Sequence, residues 1–197
     1  MYLVKGNEVD EEAFKERIDD ALYNQNYGQG NATVKADDIN LLMVLIDELT
    51  NDIDDEDGIV SVKTKTGTEV SVQGGIVSAT PAEGPADNDA NINIVFDMAM
   101  VAKATDDDDS VFIAGELDER EMAVMIYAAE LAGLNVENRP EDFQVPEDLK
   151  TKMDTLWAQK QEEMGLAEPA ADVAADLSTD ADATVTADLG IMNPTMT

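Results

Sequence analysis

The chain of 197 residues has no cysteine and no histidine, and its 12 lysines and arginines face 44 aspartates and glutamates. Each shortage excludes something. Without cysteine no disulfide framework can form, and nothing in the residue content argues for an oxidising compartment. Without cysteine or histidine, Ser-His-Asp and Cys-His nucleophilic sites and zinc sites built on those ligands cannot be assembled. The formal net charge of -32 repels nucleic acid phosphates and anionic membrane surfaces, so neither is an expected direct partner. No apolar run approaches a membrane span, and Met1 to Gly6 lacks the apolar stretch of a signal peptide. The expected location is a cytoplasm, or a virion assembled there if the chain is phage-encoded.

What is present is ample apolar content, 44% of residues, enough for a core rather than a disordered chain. Phe14, Ile18, Ala21 and Leu22 recur at helical spacing and predict a helix over about 10–24. A second helix is expected over 38–50, apolar nearly all round. The period then changes to two. Val60, Val62 and Thr64 alternate with Ser61, Lys63 and Lys65, and Val70 and Val72 with Glu69 and Ser71. These predict a hairpin of strands 59–65 and 69–73, with a loop centred on Gly67 that sets Val62 opposite Val72. A short strand is expected at 76–79 and another at 91–101, where Ile92, Ile94, Phe96, Met98 and Met100 fall on one face. Helices follow at 118–132, ended by Gly133, and at 147–164, ended by Gly165. The expected fold is therefore α+β: one domain over 1–166, with a central antiparallel sheet (about 59–104) between N-terminal and C-terminal helices. Residues 167–197 hold 8 alanines and 6 acids with no base, and predict an extended acidic arm.

Charge is uneven along these pieces. Residues 1–58 and 105–166 each carry a net charge of -12 and the arm -6, whereas residues 59–104 carry only -2. The nearly neutral segment and the base-free arm are where a protein partner is expected.

Two acidic runs raise the question of metal. Asp54, Asp55 and Asp57 precede Gly58 in a run that resembles a calcium loop. Aligning Gly58 to the sixth position of an EF-hand loop puts Ile53 and Thr64 where carboxylates belong, so the motif fails. Asp107 and Asp108 lie in a run of four aspartates. A solvated loop is the favoured reading of both, with loosely held calcium or magnesium as the alternative, and no cofactor is expected. The Asp148-Leu149-Lys150 fragment found in some nucleases sits at a helix start, where acids are ordinary.

No catalytic constellation emerges, and a non-enzymatic structural or assembly protein is the leading expectation. In style it is similar to accessory proteins of tailed-phage virions, such as those that decorate or cement a capsid, though no motif carries the similarity. Its partners would be protein subunits in a multi-copy assembly. The expected contact residues are Ile92, Ile94 and Phe96 on the strand, and Ile191 and Met192 near the end of the arm. The alternatives are an acidic inhibitor or DNA mimic occupying a basic site on another protein, and a scaffolding factor.

Overall fold

In the computed structural model, residues 2–6, 9–27, 36–50 and 58–166 are described, all within the first of two units, Met1–Ala167. The second unit, Glu168–Thr197, lies outside the described residues, and with it the predicted arm.

The protein is α+β, with a seven-stranded sheet and five helices among the described residues. In chain order the elements are β1 (Tyr2–Lys5), α1 (Glu11–Tyr27), α2 (Ala36–Leu45), β2 (Ile46–Leu49), β3 (Val60–Thr64), β4 (Glu69–Gln73) and β5 (Ile76–Ala79). They continue with α3 (Asp89–Thr105), β6 (Ser110–Ala114), α4 (Glu119–Leu131), β7 (Asn135–Val136) and α5 (Glu147–Glu163). The strand order is β2-β3-β4-β5-β1-β6-β7, antiparallel throughout except for the β6–β7 pair. The alternation of valines selects the buried face. Leu3, Val60, Val62, Val70, Val72, Val77, Val111 and Ile113 all point to one side and form the core with the helices.

The predicted hairpin is present, but its register is shifted by two residues. Val62 pairs with Val70, Val60 with Val72 and Lys63 with Glu69. The loop is Lys65-Thr66-Gly67, closed by Thr64 N–H donating to Thr68 O at 2.8 Å, with Gly67 last at φ +87°. A three-residue loop wants glycine in its final, left-handed position rather than its centre, and this sets the pairing. A shift of two leaves every side chain on its expected face. The predicted helix over 38–50 is also shortened. Ile46–Leu49 leaves it to form an edge strand on β3, with Ile46 beside Thr64 and Leu49 beside Val62.

The largest correction concerns 91–101. The predicted strand is the middle of α3, a 17-residue helix with twelve buried residues. A helix enclosed on nearly all sides shows no clear helical period, because its polar residues Asn91 and Asp97 are buried along with the apolar ones. Its length argued against a strand, since the eleven residues 91–101 exceed the usual strand. Its start is explicit in the residues. Asn88 caps it, accepting from Asn91 N–H at 2.7 Å. The buried Asn91 side chain accepts from Ala82 N–H at 2.7 Å and donates to Ala82 O and Pro85 O, so it pins the preceding loop. Gly84 turns that loop at φ +112°, where a Cβ would stand 2.8 Å from the Asn88 amide.

Helix α3 lies across β1, β4 and β5 and is flanked by α2 and α4, with α5 outside it. The outer layer is fixed by an edge-to-face contact of Phe96 with Trp157 (centroids 5.0 Å apart) and by a buried ion pair. Lys160 Nζ of α5 stands 2.7 Å from Asp97 Oδ1 of α3, both side chains within 2% of full burial. Neither of those two atoms has a further hydrogen-bond partner, so each depends on the other. Asp97 Oδ2 accepts from the hydroxyls of Thr64 (3.1 Å) and Thr66 (2.6 Å). On α4, Arg120 bridges Asp87 ahead of α3 and Asp148 of α5 at 2.7 and 2.8 Å.

Removing one partner of a buried pair strands the other, which costs about 3–5 kcal/mol. Lys160→Met is expected to lower the unfolding free energy in urea by about that amount. The double variant Asp97→Leu/Lys160→Met should regain much of the loss. If the two losses simply add, the residues do not act as a pair. A second expectation concerns Tyr127, whose hydroxyl donates to Asp154 between α4 and α5. Burial, then that hydrogen bond, pushes the phenol up to about 12. The folded value lies above the unfolded one of about 10, so its contribution is present below pH ~10 and fades as the pH rises toward 12. In an ultraviolet phenolate titration, Tyr127→Phe should remove the step near pH 12.

Candidate functional site

The face of the sheet opposite the core is ordered into three rows by the strand registers. An apolar row runs Ile76, Val4, Phe112 across β5, β1 and β6, where Val4 pairs with both neighbours. A second row runs Ser61, Ser71, Ser78, Tyr2, Ala114 across β3, β4, β5, β1 and β6. The third is charged, with Glu48, Lys63 and Glu69 across β2, β3 and β4. Tyr2, Ile76 and Phe112 are 42–46% exposed and make up three of the four large exposed apolar side chains among the described residues. Large side chains left on one open sheet face are unusual for a surface strand, which favours polar residues there.

Small serines beside a large tyrosine leave a hollow. A cavity of about 500 Å³ is lined by Tyr2, Ser71, Ser78, Thr80, Pro81 and Glu69. Glu69 and Thr80 also line a second hollow of about 610 Å³, with Thr66, Thr68, Asn93, Ile94 and Glu163 around it. Thr66 connects this second hollow to the buried pair, because its hydroxyl bonds Asp97 beneath. Asn93 and Ile94 stand one helical turn before Asp97, and Glu163 one turn after Lys160. The electrostatics of the charged row are partly balanced. Lys63 Nζ meets Glu48 at 3.0 Å, and that hydrogen bond, then the attraction of the same carboxylate, raises the lysine above its ordinary value. Glu69 accepts from Thr50 Oγ1 at 3.3 Å.

The predicted contact residues are placed differently from expectation. Ile92 and Phe96 are fully buried in α3, beneath the sheet rather than on it, so they serve the core. The reason is the helix itself, which turns their alternating pattern inward on all sides. Ile94 is partly buried and lines the 610 Å³ hollow. Ile191 and Met192 lie outside the described residues, as do Asp54, Asp55 and Asp57.

Asp107 and Asp108 fall in the loop between α3 and β6, which is held by bases from three elements. Lys5 of β1, with 0% of its side chain exposed, pairs with Asp106 at 2.9 Å and donates to the carbonyls of Ala102 (3.2 Å) and Asp108. Arg17 of α1 approaches Asp107 at 3.9 Å and Ala104 O at 3.5 Å, and Lys103 pairs with Asp109. Asp108 Oδ1 accepts from Ser110 N–H at 2.9 Å. Cations at the last turn of a helix meet its orphan carbonyls and the negative end of its dipole. The loop thus closes the C-terminal end of α3. Among the described residues, no group of three or more acids is arranged to hold a metal ion, and no helix is long and apolar enough to cross a membrane.

The sequence reading missed Tyr2, Val4 and Phe112. Tyr2-Leu3-Val4-Lys5 is a short alternating run, and Val111-Phe112-Ile113 a short apolar one, so both carried a strand signal. What could not be read was that they would be neighbours.

Exposed cross-strand pairs contribute about 0.2–1 kcal/mol each, against about 3–5 kcal/mol for truncating a core phenylalanine. Ile76→Ser and Phe112→Ser should therefore each cost less than about 1 kcal/mol in denaturant titration. Phe96→Ala should cost about 3–5 kcal/mol. A loss of that larger size at Phe112 would mean the open face is covered. No family model, no curated protein and no solved structure matches this chain.

Proposed function

We propose that this chain is a non-enzymatic binding protein that engages other protein subunits in an assembly through the open face of its sheet. The observation that carries this reading is the row Ile76-Val4-Phe112 beside Tyr2, left exposed on a chain of net charge -32. Apolar side chains of this size gain from burial against a partner, and an aromatic residue supplies the anchor around which such contacts concentrate. The hollow over Ser71 and Ser78 offers a partner side chain somewhere to enter.

The buried titratable groups Lys5, Asp97 and Lys160 are engaged in holding elements together, and this favours binding over chemistry. A decoration or accessory role on a phage particle is the form of this proposal that suits the small size and acidic composition. An acidic surface also repels packaged DNA rather than adhering to it.

The test is gradient sedimentation of particles from the producing cells, with wild-type and Ile76→Ser/Phe112→Ser chains compared. Wild type should co-sediment with a multi-subunit particle in high salt, and the double variant should remain at the top of the gradient while keeping its circular dichroism. Association that collapses with salt and ignores the double substitution would instead indicate an acidic inhibitor of a basic partner.

A further inference from the structure

The open face also carries information about the chemistry of what covers it. We infer that its occupant is a protein segment with a large apolar side chain flanked by lysine or arginine, which rests on the binding role proposed above. Carboxylates stand at one end of the apolar row and, two rows away, in the charged row of the same face. Beyond Phe112, Glu137 stands at the β7 edge, where Ser110 Oγ and Asn135 Nδ2 hold it at 3.1 and 2.7 Å. In the charged row Glu69 lines the hollow beside Tyr2. Of the bases along β3 and its hairpin end, Lys63 is already matched by Glu48, and Lys65 donates to Met43 O. A partner therefore meets an apolar centre with net negative surroundings.

The shape agrees with the charge. A segment whose apolar side chain covers Val4 and Phe112 has the serine-floored hollow beside Tyr2 next to it, and Glu69 at the far wall of that hollow. A lysine or arginine stem can lie along such a hollow with its charged head at the carboxylate. The same charge excludes other occupants. A second copy of this chain brings its own net charge of -32 and would oppose Glu69 and Glu137 with like carboxylates. An anionic lipid surface or a nucleic acid is repelled on the same ground.

The test uses the full chain and two synthetic peptides that share one apolar core, flanked by lysines in one and by glutamates in the other. Amide resonances are followed by nuclear magnetic resonance during titration. The lysine-flanked peptide should shift resonances of Tyr2, Val4, Ile76, Phe112 and Glu69. Phe112→Ser should weaken it about tenfold, the scale of losing an aromatic anchor. Glu69→Gln/Glu137→Gln should weaken it and flatten its salt dependence.

Equal binding of both peptides overturns the inference. So does undiminished binding to Phe112→Ser, which would show only a general attraction to an acidic chain. A concentration-dependent dimer in sedimentation equilibrium, abolished by Phe112→Ser, overturns it in favour of a second copy. If Phe112→Ser releases the chain from particles while the two peptides bind alike, the binding role stands and the assigned partner chemistry falls.

Discussion

One carboxylate ties the three layers of this fold together. Asp97 sits at the centre of α3, takes hydroxyl hydrogens from the β3–β4 hairpin through Thr64 and Thr66, and meets the ammonium of Lys160 on α5. Burying either charge alone is unfavourable, so the sheet, the central helix and the outer helix are mutually dependent at this point. The apolar contacts around it, Phe96 against Trp157 among them, would tolerate some sliding of α5 over α3. The ion pair does not, and such groups are a means of specifying one arrangement among several with similar apolar burial.

The shortage of bases gives that constraint a wider meaning. Lys5, Arg17, Lys103, Arg120, Lys152 and Lys160 each bind a carboxylate on another element or in an adjoining loop. The start of α3 is held through Arg120 and Lys152, its middle through Lys160 and its end through Lys5 and Arg17. A chain with so few cations has placed them along its central helix, where an acidic sequence most needs internal compensation. Much of what remains for the outer surface is carboxylate, against which the apolar row on the open sheet face stands out.

How much of this was legible in the residues depended on whether an element shows a polar side. Helices α1, α4 and α5 have one, and each lies close to where its pattern put it. The hairpin was legible down to its faces but not to its register, since a shift of two preserves the alternation and only the place of Gly67 in the loop decides it. Helix α3 was misread because enclosure buries Asn91 and Asp97 along with the apolar residues and leaves no distinct polar side, and the Asn88 cap was passed over. The candidate surface was half legible. Its serines, Lys63 and Glu69 come from the β3–β5 segment, whereas Glu48 comes from a stretch read as helix, and Tyr2, Val4 and Phe112 reach it by pairings between distant parts of the chain.

Those pairings have a consequence for how the protein is made. The first strand in chain order, β1, is not at an edge but wedged between β5 (Ile76–Ala79) and β6 (Ser110–Ala114), both far from it in sequence. The β3–β4–β5 meander can form from neighbouring residues. The sheet cannot close until Ser110–Ala114 has been synthesised and can flank β1 on its other side. Contacts of such sequence separation are slow to form, because the loop-closure entropy comes before the stabilising contact. During translation the β1 segment must wait for β5, and its other edge stays unpaired until β6 emerges. A chain this anionic is well suited to that interval, since like charge keeps incomplete copies from joining edge to edge.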